Sequence, residues 1–152
     1  MNNYQTVDGE FQTKYEILRS VFICTTKGIN SFDEGMDFCR EISKKYSNAT
    51  HNCYAILTSD SQKFSDDGEP QGTAGQPILQ VIKNNNLINI ACVVTRYFGG
   101  VKLGAGGLVS AYTKSCADCI KEAKIITKTK SLQGKIILDY NEFSSFNKYI
   151  QS

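Results

Sequence analysis

The run "LINIACVVTRYFGGVKLGAGGLVSAY", Leu87 to Tyr112, constrains this chain more than any other stretch. Leu87–Phe98 is long, mostly apolar and β-branched, the pattern of a strand buried on both faces. Five glycines then fall between Gly99 and Gly107. After them comes a helix whose apolar side is Leu108, Val109, Tyr112, Cys116, Cys119, Ile120 and Ala123. A buried strand that feeds a glycine turn and then a helix requires a sheet with helices packed on it. Glycines at that turn allow positive φ and close backbone approach, while the helix N-terminus offers unpaired N–H groups and partial positive charge. Arg96 and Lys102 add full charges. The loop therefore suits a phosphate or carboxylate, and equally suits a tight crossover where only glycine fits. It is not a dinucleotide fingerprint, because Val109 stands where a third glycine is needed. Nor is it a Walker A loop, since Ala105 replaces the lysine.

A second unusual stretch, "FSDDGEPQGTAGQP", spans Phe64 to Pro77 and holds both prolines of the chain. Asp-Gly at 67–68 is a turn signal, and Pro70 forces Glu69 into an extended conformation. Asp66 and Asp67 are candidates for a divalent metal or for a general base. In a plainer reading they cap turns and pair with Arg96 or Lys102. Adjacent carboxylates point in different directions on most backbones, which argues against a shared catalytic dyad. His51, the single histidine, is a candidate base, although a lone histidine at a strand start more often serves structure. No G-x-S-x-G elbow and no H-E-x-x-H motif occurs.

The remaining elements follow from periodicity. "YEILRSVFICTT", Tyr15–Thr26, reads as one strand. Ser31 and Glu34 form a capping box for a helix whose stripe is Phe32, Met36, Cys39, Ile42 and Tyr46. Thr50–Ser59 reads as a strand. Thr73 is placed to cap a short helix, "AGQPILQVIKNN", with Pro77 tolerated in its first turn. "KIITKT" is a short strand, and "LQGKIILDY" with "NEFSSFNKYI" reads as a strand and a capped helix. The division expected is an extension at 1–14, one domain at 15–128, and the opening of a further module at 129–152.

Six cysteines raise the question of disulfides or zinc. Cys24, Cys39, Cys53 and Cys92 lie in apolar segments, where cysteine acts as a small hydrophobe. Cys116 and Cys119 form a single C-x-x-C pair on one helical face, with no second pair or histidine to complete a metal site. Buried thiols, no metal, and a reducing compartment are expected. The first residues lack a secretory pattern, and no apolar run spans a bilayer, so a cytoplasmic protein without membrane contact is expected. A net charge of +2 does not by itself indicate nucleic-acid binding.

The two loops together, with "RSVFI" at 19–23 and "ATHNCYA" at 49–55, closely resemble the signature of the YigZ/IMPACT family, an uncharacterised conserved family. The resemblance covers residues 14–125. It implies an α+β fold like domain 2 of ribosomal protein S5, a sheet with helices on one side. It also implies that 129–152 is the first strand and helix of a ferredoxin-like domain. Eukaryotic relatives act as translational regulators through a ribosome-associated activator, using an additional N-terminal domain not found in this sequence. The family's motifs map onto Asp66, Asp67, Gly68, Glu69, Pro70, Gly72, Thr73 and Gly75, and onto Arg96, Tyr97, Gly99, Gly100, Leu103, Gly104, Gly106, Gly107 and Leu108.

Two functions follow. The first is a non-enzymatic binding protein that contacts RNA, the ribosome or a translation factor. Basic residues Lys121, Lys124, Lys128, Lys130 and Lys135 agree with it. The second is an enzyme of hydrolase or transferase type with a small phosphate or carboxylate ligand held between the loops. In either case the expected binding residues are Asp66, Asp67, Glu69, Thr73, Arg96, Tyr97, Gly99, Gly100, Lys102, Gly104, Gly106 and Gly107, with Asp66, Asp67 and His51 as catalytic candidates and no cofactor.

Overall fold

A computed structural model describes residues 2–130 and 136–139. Strands β1 (Asn2–Val7), β2 (Glu10–Ile17) and β3 (Ser20–Gly28) lead into α1 (Phe32–Lys45). Then come β4 (His51–Leu57), β5 (Gln62–Ser65), α2 (Gly75–Asn84), β6 (Ile90–Tyr97) and α3 (Gly104–Glu122). β7 (Ile125–Lys130) and β8 (Ile136–Asp139) complete the described elements. A five-stranded sheet runs in the order β2-β3-β6-β4-β5, and a three-stranded sheet in the order β1-β7-β8. Every paired neighbour is antiparallel, which makes the protein α+β as expected.

β6 is the central strand and all but its last residue are buried. Its alternation divides the core. Ile90, Cys92 and Val94 face the cluster built with α2 and α3, while Ala91 and Val93 face the cluster built with α1. The helices thus lie on both faces of the sheet, correcting the expectation of one covered side. A helix's stripe records that it packs on something, not on which face.

The capping box is present. Glu34 N–H donates to Ser31 Oγ at 3.1 Å, and Asn30 N–H donates to Glu34 Oε1 at 2.9 Å. The single strand expected at Tyr15–Thr26 is instead the last three residues of β2 and most of β3. A two-residue turn, Leu18–Arg19, breaks it, with φ of 46° and 68°. Neither residue carries the glycine or asparagine that normally marks such a turn. The N-terminal 14 residues, set apart by sequence, contain β1 and the first half of β2. The strand expected near Ile136 is β8, and the helix expected at 141–150 lies outside the described residues.

Candidate functional site

Antiparallel pairing brings four loops to one end of the five-stranded sheet. β6 ends there, β3 and β4 begin there, and the acidic loop after β5 folds back along β4. Register places Tyr15, Phe22, Arg96 and His51 in a row across four strands. Directly opposite residues share a face, so this row lies under α3 and the acidic loop.

Glu69, from the acidic loop, contacts that row at Arg96 and His51. The Asp66–Glu69 turn, closed by Glu69 N–H to the Asp66 carbonyl at 2.8 Å, has positive φ at Asp67 (40°) and Gly68 (89°). This is the Asp-Gly turn foreseen from sequence, and it tucks Glu69 inward until only 7% of the residue is exposed. Arg96 Nη1 donates to both Glu69 oxygens, at 3.1 and 2.9 Å, and Tyr112 Oη donates at 2.5 Å. His51 Nδ1 donates to the Asp67 carbonyl at 2.7 Å, leaving Nε2 facing Glu69 Oε1 at 3.5 Å. The Arg96 guanidinium sits between the rings of Phe22 and Phe98, 5.8 and 5.3 Å from their centroids. Burial drives the Tyr112 hydroxyl far above its ordinary range, so it remains a donor to Glu69.

The aspartates are equally occupied. Asp66 accepts from Gly72 N–H (2.9 Å), Ala74 N–H (3.1 Å) and Gly75 N–H (2.8 Å), placing a carboxylate on the N-terminus of α2. That corrects the cap assigned to Thr73, whose hydroxyl instead donates to the Pro70 carbonyl. Asp67 accepts from Asn52 N–H at 2.7 Å. Among the described residues, no group of histidine, cysteine and acidic side chains is arranged to hold a metal ion.

The structure therefore unites Asp66, Asp67, Glu69, His51 and Arg96, and adds Tyr112, which sequence had assigned only to the apolar side of α3. It does not unite all the candidates. Tyr97 lies on the other face of β6 and bonds Asn48 Oδ1 at 3.1 Å. Lys102, Gly100, Gly104 and Gly106 are exposed, and no hydrogen bond joins them to the acidic loop. Gly99 belongs to a different contact: its N–H donates to Ser20 Oγ at 3.2 Å, and a Cβ there would lie 2.0 Å from the Arg19 carbonyl oxygen. Sequence reasoning missed this partnership between the glycine loop and the β2–β3 turn. The lysines at 121 and 124 lie at the far end of α3, roughly 28 Å from its start. Lys124 pairs with Asp8 at 3.7 Å, and Lys135 is outside the described residues.

All six cysteines are buried and free. Cys24, Cys92, Cys116 and Cys119 belong to one core cluster beneath α3. No helix among the described residues is long and apolar enough to cross a membrane.

Comparison with known proteins agrees with these features. Residues 18–120 match the Impact N-terminal domain. The chain is 41% identical over 131 residues to the IMPACT family member YvyE of Bacillus subtilis, covering 84% of this chain and 60% of the relative. It is 33% identical over 134 residues to YigZ of Escherichia coli, covering 85% and 66%. Human Protein IMPACT is 41% identical over 99 residues, 62% of this chain and 30% of that protein. A crystal structure of a hypothetical protein superposes with a TM-score of 0.82 at 31% identity, over 86% of this chain and 66% of that one. The chain thus spans less than two thirds of the length of these bacterial relatives. A buried strand running into a glycine loop, an acidic loop folded onto its end, and a domain match over most of the chain lead to one assignment: this protein belongs to the IMPACT family.

Proposed function

We propose that this protein is a non-enzymatic, translation-linked binding protein that meets RNA, the ribosome or a translation factor through the loop end of its five-stranded sheet. The observation that carries this reading is the division of labour between the loops. Each carboxylate of the acidic loop is bonded inward, to a helix N-terminus, a strand amide or Arg96. The glycine loop beside it is exposed and presents Lys102. Asp66 and Glu69 are committed to these bonds, and the exposed Asp67 keeps one oxygen on the Asn52 amide, so the loop's carboxylates serve chiefly to hold the loop's own shape. The link to translation rests on family membership, as does a cytoplasmic setting.

Ribosome co-sedimentation at low and moderate salt tests the reading. The comparison is wild type against Arg19→Glu/Lys102→Glu, both with matching melts. Arg96 is unsuitable because it is buried against Glu69. Pelleting that falls with salt and is lost in the variant is expected. Equal pelleting of both proteins, or of neither, overturns it.

One observation favours the enzyme alternative. Arg96 Nε is buried without a partner, leaving a donor for a small phosphate or carboxylate. Thermal shift with phosphate and nucleotides separates the readings. A ligand at 100 times its Kd adds about 2.7 kcal/mol.

A further inference from the structure

We propose that the β2–β3 turn and the Phe98–Lys102 segment form one docking patch for an acidic, apolar-bearing segment of a partner protein. This rests on, and narrows, the reading of the loop end as a binding surface. Three of the large hydrophobic side chains exposed among the described residues belong to these two tips: Leu18 (53%), Phe98 (45%) and Val101 (40%). Gly99 holds the tips together, its backbone against that of Arg19 with no room for a Cβ. Grouped exposed apolar side chains with a charged rim mark interaction surfaces rather than ordinary surface scatter.

The patch is organised before any partner arrives. The Phe98 ring rests on the Arg96 guanidinium, which is itself fixed by Glu69, and Phe98 N–H donates to Thr50 Oγ1 at 2.9 Å. The β2–β3 turn keeps two side-chain-bearing residues at positive φ, 46° and 68°, where Asn-Gly would relieve the steric conflict. Leucine and arginine at such a turn serve presentation better than they serve folding.

Charge selects the partner. Arg19 and Lys102 are exposed and form no ion pair among the described residues. Of the carboxylates in the neighbouring acidic loop, Asp66 and Glu69 are bonded inward, while Asp67 is exposed and accepts from the Asn52 amide. A segment placing Leu or Phe beside Asp or Glu meets both features. Single-stranded RNA would find one exposed ring, Phe98, beside two aliphatic side chains that cannot stack.

Fluorescence anisotropy with short synthetic peptides tests this, using Leu/Phe residues interspersed with Asp/Glu. Controls are the same peptides with Lys for the acids, and oligo(U). The acidic peptides are expected to bind about tenfold or more tightly than the basic ones, less so as salt rises. Leu18→Asn/Arg19→Gly is expected to melt higher than wild type and yet lose about tenfold in affinity. Gain of stability with loss of binding is an outcome that a purely structural turn does not produce. Undiminished binding by that variant, equal binding of acidic and basic peptides, or no peptide binding each overturns the proposal. Binding of oligo(U) instead, lost in Arg19→Glu/Lys102→Glu, overturns the protein partner while leaving the binding face standing. No binding of either probe, with no ribosome pelleting, removes both readings.

Discussion

Glu69 connects elements that are otherwise separate: it reaches β6 through Arg96, β4 through His51 and α3 through Tyr112. Removing its charge leaves the Arg96 guanidinium buried without a counter-ion. Glu69→Gln should therefore cost about 3 kcal/mol in urea unfolding at neutral pH, against about 1 kcal/mol for Tyr112→Phe, which loses one hydrogen bond. Equal losses in the two variants would mean that the carboxylate's charge is not what holds Arg96. Much of this cluster was legible beforehand. Asp66, Asp67, Glu69, Arg96 and His51 are residue types that a core does not need, and they stand in loops or at strand ends. What could not be read was their direction. A strand's pleat fixes which face a side chain takes, but the turn that aims Glu69 inward depends on contacts with distant strands. Tyr112 was missed because a buried tyrosine and a buried phenylalanine give the same helical stripe.

Between elements, the contact of the glycine loop with the β2–β3 hairpin makes two glycines respond in opposite ways. Gly99→Ala forces a Cβ to within 2.0 Å of a backbone oxygen, whereas Gly106→Ala meets open space in the first turn of α3. The first should destabilise by roughly 3 kcal/mol and the second should stabilise by about 0.5–1 kcal/mol, read from denaturant midpoints. Similar behaviour in both would show that the loop does not rest on the hairpin. α1, β6 and the Asp-Gly turn were legible because each carries its own local signal. The Leu18–Arg19 turn carries none, so β2 and β3 merged into one expected strand. Asp66 capping α2 was also invisible, since a cap supplied from outside the helix has no fixed spacing.

Across the whole molecule, the buried thiols tie stability to pH. Burial pushes the Cys39 thiol up to about 12 and raises Cys53 further. In the cluster beneath α3, hydrogen bonds among the thiols raise Cys24 and lower its neighbour Cys92, so the pH effect rests on Cys39 and Cys53. These groups ionise later in the fold than in the unfolded chain. Their stabilising effect is complete below about pH 8.5 and declines as pH rises toward their folded values. Each thiol then removes up to about 1.4 kcal/mol per pH unit. Urea midpoints should fall steeply between about pH 9 and 11, and Cys39→Ala should reduce the slope by up to one proton. A midpoint that stays level to pH 11 would mean that these thiols ionise without unfolding. That cysteines would be buried was legible from their apolar surroundings, but their convergence from β3, β6 and α3 depended on topology. One further consequence concerns synthesis. β1, at residues 2–7, has its partner at residues 125–130. β1 therefore lacks its strand partner until residues 125–130 have been made. The three-stranded sheet can close only once β7 has emerged, after every strand of the five-stranded sheet has been made.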